Sequence, residues 1–389
     1  MSAIHRSLMR ITHVVENLNR GGLERVVIDL IEQQKSMGYE CQVVCLFEPG
    51  RLAYEIAELG VPLISCEKKA GFDRVAIRKM RSAVIDHQPA VVHTHNAMAH
   101  YYAVLATAFF ACRRINTRHS MANHPFSWRR EALYRLSMMF SDVAAVVCDR
   151  ARVNFVKYRI LPKAKAITVY NGIPVDRFAV RNPAARQQLL SESNWPDDVL
   201  ILGKVARLNP PKDHHMLINA MALIYAEEPK ARLVLIGDGP LRAPLEALSQ
   251  KLNLEKVVCF LGDRSDVKDL LPGFDAFVMS STTEGYSISL LEACASALPV
   301  VATDVGGNRE IIVDGRNGYL VSPSQPTLFA EAALRLIRAP AKRDEIGSIN
   351  RKFAEDVGSV QAMAKRYEML YQPRFNLAKS GKAGNTDHP

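Results

Sequence analysis

Short strand-like runs alternate with amphipathic stretches along most of the chain. In residues 1–181 the runs are ITHVV, CQVVCLF, VPLISC, AVVHTH, RINTRH, VAAVVC and AITVY, and the segments between them carry apolar residues at helical spacing. Apolar runs of four to eight residues bounded by turn signals are typical of buried strands. Their alternation with helices predicts a parallel sheet that is covered on both faces.

The same alternation returns later in the chain. The polar, proline-containing stretch NPAARQQLLSESNWPDD, residues 182–198, interrupts the pattern and is predicted to be a linker. After it come VLILGKVA, RLVLIGDG, VVCFLG, AFVMSS, PVVATDV and GYLV, which predict a second doubly wound sheet over residues 199–360. Residues 361–375 predict a final helix, and residues 376–389 predict a flexible polar tail.

Composition fits two globular domains. The 389 residues exceed what one core of about 100–200 residues holds, and they are 48% hydrophobic and 23% charged. The seven cysteines are odd in number and form no Cys-x-x-Cys pair, which favours reduced thiols over disulfides or a metal site. No apolar run approaches the roughly 18–20 residues of a membrane span, so we expect a soluble, cytoplasmic chain.

The net charge of +10 is concentrated in the first half. Residues 1–180 contain 25 Lys and Arg against 15 Asp and Glu, which leaves 25 of each for the remainder. A solvated basic face and an acidic partner both fit this imbalance. Nucleic acid is not expected as the partner, because the second half is neutral and no aromatic-basic reading surface is recognisable.

The segment HPFSWRREALYRLSMMF, residues 124–140, interleaves apolar and basic residues. Two interpretations fit: a helix packed on the sheet with an arginine face, or a surface that rests on anionic lipid at the inner face of the cytoplasmic membrane. The residues concerned are Trp128, Leu133, Leu136, Met139 and Phe140, with Arg129, Arg130 and Arg135.

The stretch STTEGYSISLLEACASA predicts a turn followed by a helix that begins near Ser287. Amides at a helix N-terminus favour an anion, so those of Ser287, Ile288 and Ser289 are candidates for holding a diphosphate. Glu292 in the helix suits a ribose diol, and Glu284 in the turn suits sugar hydroxyls. The alternatives are a glycosidase-type pair of acids and, more simply, a helix-start acid with a solvated helix residue.

Two cations and a glycine pair occur at other predicted strand ends. Arg207 and Lys212 follow VLILGKVA in the turn RLNPPKD, where a diphosphate leaving group or surface ion pairs would suit them. Gly21 and Gly22 precede a helix, where a backbone without side chains approaches a phosphate closely. The turn IGDGP has Arg242 in place of the third glycine of GxGxxG, which weakens a dinucleotide interpretation.

Histidines occur at two predicted strand ends. His119 ends RINTRH, whereas His93 and His95 in AVVHTH share one strand face at a spacing that metal sites also use. No acidic residue joins them at ligand spacing and no DxD triplet occurs in the sequence, so we expect structural histidines and no metal.

Taken in order, these motifs resemble the retaining glycosyltransferases of family 4. The resemblance runs from about Ile11 to Val321, through NRGGLERVV, VYNGIPVDRF, VARLNPPKD, VLIGDGPL, FLGDRSDV and EGYSISLLEACASALPVVATDVGGNREIIVDGRNGYLV. It implies the GT-B fold, an α/β architecture in which two Rossmann-like doubly wound domains face each other across a cleft. The C-terminal helices would cross back to the first domain.

The resemblance also implies residue roles. Arg207 and Lys212 would hold the donor diphosphate together with the amides after Gly285. Gly22 would approach the phosphate from the acceptor domain, Glu292 would bind the ribose, and Glu284 would bind the transferred sugar. His119 matches the family histidine that lies beside the donor sugar and assists transfer.

The implied activity is transfer of a hexose-type unit from a nucleotide diphosphate sugar, a UDP-sugar above all, to a hydroxyl of a cell-envelope glycan or lipid-linked acceptor. It proceeds with retention and without cofactor or metal. A GT-B epimerase or phosphorylase and a non-catalytic nucleotide-sugar sensor are the alternatives. The sequence departs from the family where glycine is common, at Asp213 and Ala297.

Overall fold

The computed structural model describes residues 9–19, 21–119, 121 and 128–372. The chain forms two compact units. The first takes the residues up to Gly172 together with those from Val360 onward, and the second is Ile173–Ser359.

The first unit contains a seven-stranded sheet in the order β3-β2-β1-β4-β5-β6-β7, and every pair in it is parallel. Its strands are β1 (Arg10–Val15), β2 (Glu40–Cys45), β3 (Leu63–Ser65), β4 (Val91–His95), β5 (Arg113–Arg118), β6 (Val143–Val146) and β7 (Ala166–Thr168). The helices between them are α1 (Gly22–Ser36), α2 (Ala53–Glu58), α3 (Arg74–His87), α4 (Ala97–Ala106), α5 (Trp128–Ser137) and α6 (Asp149–Lys157).

The second unit repeats this winding with six parallel strands in the order β10-β9-β8-β11-β12-β13. These are β8 (Leu200–Val205), β9 (Ala231–Ile236), β10 (Val258–Gly262), β11 (Ala276–Met279), β12 (Val300–Thr303) and β13 (Tyr319–Val321). The helices are α7 (Pro183–Ser193), α8 (His214–Glu227), α9 (Arg242–Lys251), α10 (Val267–Leu270), α11 (Ile288–Ala295), α12 (Pro326–Ile337) and α13 (Pro340–Asp356).

Each sheet is buried on both faces, as the apolar runs predict. All four residues of β6, of β11 and of β12 are buried, because helices cover both sides of a parallel sheet. The strand order reverses direction between β1 and β4 in the first unit and between β8 and β11 in the second. Ligands of doubly wound sheets bind at such switch points, beyond the carboxyl ends of the strands.

The segment predicted as a linker, residues 182–198, contains helix α7 and lies in the second unit. The Asn182 side chain caps this helix by accepting a hydrogen bond from the Ala184 amide at 3.0 Å, and Pro183 occupies its first turn. Leu189 and Leu190 are buried. The units divide at Ile173 and Val360, so the polar composition of the segment marks the exposed face of a helix.

The last described helix, α14 (Val360–Tyr371), belongs to the first unit and contacts α1 and β5. The Arg113 guanidinium donates to the Leu370 carbonyl at 2.6 Å, and the Gln34 amide nitrogen donates to the Tyr371 hydroxyl at 2.8 Å. The chain therefore returns to the first sheet after completing the second. The predicted tail, residues 376–389, lies outside the described residues.

Both departures from family glycines have left-handed backbone. Asp213 has φ of 42° and Ala297 has φ of 53°, each an arrangement that costs a residue other than glycine about 1 kcal/mol. The Asp213 carboxylate offsets that cost, because it accepts a hydrogen bond from the Met216 amide at the start of α8. Among the described residues, no helix is both long and apolar enough to cross a membrane.

The loops after β11 and β12 are in close contact at Gly306. This residue has φ of +54°, and a Cβ added there would lie 1.8 Å from the Glu284 carbonyl oxygen. The Gly307 amide also donates to the Gly285 carbonyl at 2.8 Å. The position of Glu284 thus depends on a residue without a side chain at 306.

We predict that Gly306→Ala destabilises the fold far more than Gly315→Ala. Gly315 also has positive φ, +76°, but a Cβ there would meet no atom of the described residues within 4 Å. The control should lose about 1 kcal/mol of unfolding free energy, and Gly306→Ala more than about 3 kcal/mol because it adds a backbone clash. Urea unfolding measures both variants; equal losses would contradict the close approach.

Candidate functional site

Charged side chains lie beyond the carboxyl ends of β8 and β11, the two strands that flank the switch point of the second sheet. Arg207 and Lys212 lie in the loop after β8, and Glu284 lies in the loop after β11. Since β8 and β11 are hydrogen-bonded neighbours, the fold brings the two loops together.

Lys212 and Glu284 form an ion pair. The Lys212 amine lies 2.6 Å from Glu284 Oε1, and the Ser281 hydroxyl donates to the same oxygen at 2.7 Å. The Glu284 side chain is 9% exposed and that of Lys212 is 27% exposed. Removing one partner from a largely buried pair leaves the other charge uncompensated, so each residue depends on the other.

Backbone contacts fix the two loops to each other. The Thr282 amide donates to the Pro211 carbonyl at 2.9 Å. The Ser280 hydroxyl lies 3.0 Å from the Lys212 carbonyl oxygen and 2.9 Å from that of Asp213. These hydrogen bonds between the two loops form a frame that holds the ion pair in place.

A second lysine, which the sequence analysis missed, lies beneath this frame. Lys204 is in β8, is 1% exposed, and donates to the Lys212 carbonyl and the Ser280 hydroxyl. Burial, reinforced by the nearby Lys212 charge, lowers the Lys204 pKa from 10.5 to about 7. A charged residue inside the apolar strand VLILGKVA was the available signal, since lysines are almost never fully buried.

Helix α11 begins where the sequence predicts. Ser287 is its N-cap, with a side chain that accepts a hydrogen bond from the Leu290 amide at 3.4 Å. The amides of Ile288 and Ser289 lie in the first turn, where a helix has no acceptor of its own to offer. Glu292 is half-buried one turn further along, on the helix face shared with Ile288 and Ser289.

Arg207 is exposed in the loop after β8. Within the described part of the chain, its guanidinium forms no hydrogen bond or ion pair with protein. This arrangement leaves the side chain available to an external anion.

In the first unit, Gly22 and His119 lie at two different strand ends. Gly22 is the first residue of α1, in the connection that follows β1. His119 directly follows β5 and is half-buried. Burial lowers the His119 pKa to about 3, so its ring is neutral at physiological pH.

His119 connects to a group of buried histidines. His93 and His95 are fully enclosed, and His13 from β1, which the sequence analysis missed, joins them. Nitrogen atoms of the three rings lie within 4.8 Å of one another, close enough to hold a metal ion. However, both nitrogens of His13, His93 and His95 already have hydrogen-bond partners, which describes a satisfied polar network.

The available signal for His13 was a histidine inside an apolar strand-like run. His13 pairs with His93 across β1 and β4, and both rings project from the same face of the sheet. That pairing needed the register of the folded sheet.

We predict that the Lys204 amine makes stability depend on pH. The folded pKa is lowered, so the unfolded chain binds more protons between about pH 7 and 10.5, and stability rises with pH in that window. From pH 7 to pH 9 the unfolding free energy of wild type should gain roughly 2–3 kcal/mol relative to Lys204→Met. Lys268→Met, at an exposed lysine, serves as control; a wild-type curve parallel to that of Lys204→Met would refute the assignment.

Two family models match the chain, one in each half. The model described as Glycosyltransferase Family 4 matches residues 20–177, and the model described as Glycosyl transferases group 1 matches residues 185–353. Together they include Gly22 and the loop after β5 in the first unit and the loops after β8 and β11 in the second.

Curated relatives span nearly the full length. EpsD of Bacillus subtilis, provisionally named a glycosyltransferase, is 28% identical over 86% of this chain and 90% of its own. N-acetyl-alpha-D-glucosaminyl L-malate synthase of Bacillus anthracis is 26% identical over 93% of this chain and 96% of its own.

A solved structure has the same fold. Anabaena HepE in complex with UDP superposes with a TM-score of 0.84 at 20% identity, covering 93% of this chain and 99% of HepE. The two Rossmann-like sheets are thus those of a GT-B enzyme. With both family models matched in order, the chain belongs to the group 1 glycosyl transferases of family 4 and is a glycosyltransferase.

Proposed function

We propose that the protein transfers a hexose-type sugar from a nucleotide diphosphate sugar to a hydroxyl of a cell-envelope glycan or lipid-linked acceptor, with retention at the anomeric carbon. The observation that carries the proposal is the Lys212–Glu284 ion pair, fixed at the switch point where α/β folds bind nucleotides.

The chemistry of the second unit suits a departing diphosphate. When the glycosidic bond breaks, negative charge accumulates on the leaving phosphate. Lys212, the exposed Arg207 and the first-turn amides of α11 are cationic or dipolar groups that stabilise such charge. Their fixed positions matter because preorganised donors need no rearrangement during the reaction.

The ion pair gives each partner a separate task. A diphosphate bound at Lys212 competes for the amine, which leaves the Glu284 carboxylate, still held by Ser281, to accept hydrogen bonds from sugar hydroxyls. Glu292 keeps its proposed place at the ribose. Gly22 and His119 keep the roles that the family resemblance implies, His119 as the residue that assists transfer.

Retention follows from the same-face attack that the family resemblance implies. The departing phosphate takes the proton of the acceptor hydroxyl as the new glycosidic bond forms on the same face of the sugar. His119, neutral because of its burial, would contribute a hydrogen bond and no charge.

A uridine donor is supported by HepE, which was solved with UDP and with UDP-glucose. A lipid-linked acceptor is supported by one relative, the GDP-mannose-dependent monoacylated alpha-(1-6)-phosphatidylinositol monomannoside mannosyltransferase of Corynebacterium glutamicum, which is 28% identical over 52% of this chain. We propose that no metal is required, because Lys212 and Arg207 supply the positive charge.

We predict that Lys212→Ala lowers kcat/KM for the nucleotide sugar about 100- to 1,000-fold, because one preorganised cation is lost. Lys268→Ala, which removes a lysine paired with Asp269 on the same unit, should leave it unchanged. Donor choice is measured first, by thermal shift against UDP, GDP, ADP and their sugars.

Several outcomes of this assay would contradict the proposal or a part of it. Near wild-type turnover of Lys212→Ala under saturating donor would remove the lysine from the diphosphate. Conversion of the donor sugar without acceptor, or turnover that depends on added phosphate, would instead identify an epimerase or a phosphorylase. Loss of activity in EDTA that Mg²⁺ restores would contradict the metal-free assignment.

We propose further that the enzyme binds an anionic membrane surface through α5 and the short helix that follows it. Leu133, Leu136, Met139 and Phe140 are between 51% and 69% exposed, whereas Tyr134 is buried beneath them. This apolar surface is formed by Leu133 and Leu136 of α5 and by Met139 and Phe140 of the short 3-10 helix that follows it. The exposed Arg130 and Arg135 accompany it. Apolar and basic side chains on one surface suit the interface of an anionic bilayer.

We predict salt-sensitive binding to vesicles that contain phosphatidylglycerol. Leu136→Ser combined with Phe140→Ser should reduce co-sedimentation at least several-fold, because apolar area is no longer buried in the headgroup region. Leu223→Ser with Leu328→Ser, at exposed apolar residues of the second unit, is the matched control. Equal partition of wild type onto neutral vesicles would contradict the electrostatic part.

A further inference from the structure

A line of buried side chains leads to His119. The Gln34 amide oxygen lies 2.7 Å from His13 Nε2, His13 Nδ1 lies 3.2 Å from His95 Nε2, and His95 Nδ1 lies 3.1 Å from His119 Nε2. Gln34 is in α1, His13 in β1 and His95 in β4, so the line crosses the switch point of the first sheet.

Every imidazole in the line is neutral. Burial lowers the pKa of His13 to about 4 and that of His119 to about 3, and it lowers the pKa of His95 well below 6.5. In a neutral imidazole one nitrogen donates a hydrogen bond and the other accepts one. The direction of donation is therefore the same at every link of the line.

Gln34 sets that direction. Its amide nitrogen donates to the Tyr371 hydroxyl at 2.8 Å, so its oxygen is the acceptor that faces His13. The Cys41 thiol points at the same oxygen from 3.7 Å. His13 must then donate from Nε2 and accept at Nδ1, and His95 must do the same.

A second branch from Gln34 agrees with this direction. The Tyr371 hydroxyl accepts from Gln34, so its own hydrogen is available to His93 Nδ1 at 3.0 Å. His93 Nε2 then donates to the Thr117 hydroxyl at 2.8 Å, which in turn lies 2.9 Å from the Tyr367 hydroxyl. Donor and acceptor roles are satisfied throughout with one orientation of the Gln34 amide.

The line ends on an unused acceptor. His119 Nε2 donates to His95, which leaves a lone pair on Nδ1. That nitrogen is buried and has no hydrogen-bond partner within the described segments of the chain. A buried polar atom without a partner is uncommon and is costly unless something binds it.

We propose that Gln34, His13 and His95 are positioning residues that hold His119 in the Nε2–H tautomer, so that its Nδ1 accepts a hydrogen bond from a substrate hydroxyl. With the opposite tautomer, His119 would offer an N–H group and would suit a carbonyl or phosphate oxygen instead. The tautomer depends only on the network, whereas its use in transfer rests on the proposed function.

The test is histidine NMR of the full chain without ligand. With ¹⁵N-labelled histidine, long-range proton–nitrogen spectra distinguish a protonated ring nitrogen from a bare one, and His119→Asn identifies the His119 signals. Wild type should show His119 protonated at Nε2 and bare at Nδ1. His100, whose nitrogens contact the Thr94 and Ser141 hydroxyls outside this line, is an internal control.

Gln34→Met removes the group that sets the direction. The fraction of His119 in the Nε2–H tautomer should fall from nearly all to about half, with the His100 signals unchanged. Tyr371→Phe, a smaller change, should release the Gln34 amide and move the His119 signals in the same sense. If Gln34→Met does not fold, Tyr371→Phe still tests the inference.

Several results would overturn the inference. One is a protonated Nδ1 on His119 in wild type, and another is an unchanged tautomer in both folded variants. If a chelator removes bound zinc and the histidine signals then shift, the histidines bind a metal ion and the hydrogen-bond network is refuted.

Turnover gives a separate measurement. Gln34→Met should lower kcat at saturating donor about twofold while leaving the UDP thermal shift unchanged, because only part of the molecules then present the acceptor. An inactive wild type with the expected tautomer would refute the proposed function and leave the network standing.

Discussion

The ion pair between Lys212 and Glu284 is the interaction on which the candidate site depends. Glu284 is almost wholly buried and Lys212 partly so; each charge compensates the other, and a frame of backbone hydrogen bonds holds both loops. The frame exists because β8 and β11 are neighbours in a sheet whose winding reverses between them. The sheet topology thus brings the two loops together, and the positive charge of Lys212 favours binding of an anion there.

Positive charge is concentrated around this pair at a cost to stability. Lys204 is enclosed in β8, and its lowered pKa reflects the free-energy cost of burying an amine, to which the nearby Lys212 charge adds. Polar groups buried at such expense are more common in functional sites than elsewhere, because a core made only for stability avoids them. This arrangement suits the negatively charged donor proposed above.

The first unit contains buried polar groups that are neutral. Its buried histidines make directional hydrogen bonds without net charge, and one amide, that of Gln34, fixes the direction of the set. Helix α14, which belongs to the first unit, completes this arrangement with Tyr371. A neutral, oriented site differs from the cationic one of the second unit in the chemistry it can recognise.

Much of this architecture follows from the sequence alone. Alternating apolar runs and amphipathic helices determine two parallel, doubly wound sheets, and the residues around Ser287 determine where α11 begins, because these are local properties of period and capping. Residues 182–198 were misread as a linker because polar composition does not distinguish a loop from an exposed helix face.

The partners of each side chain needed the tertiary structure. Lys212 and Glu284 are 72 residues apart, and His13 and His95 are 82 apart. Such pairs meet only through strand order and register, which depend on the packing of whole sheets and not on any local pattern. Local period and capping indicate where most strands and helices lie, whereas the packing of whole sheets decides which of their side chains touch.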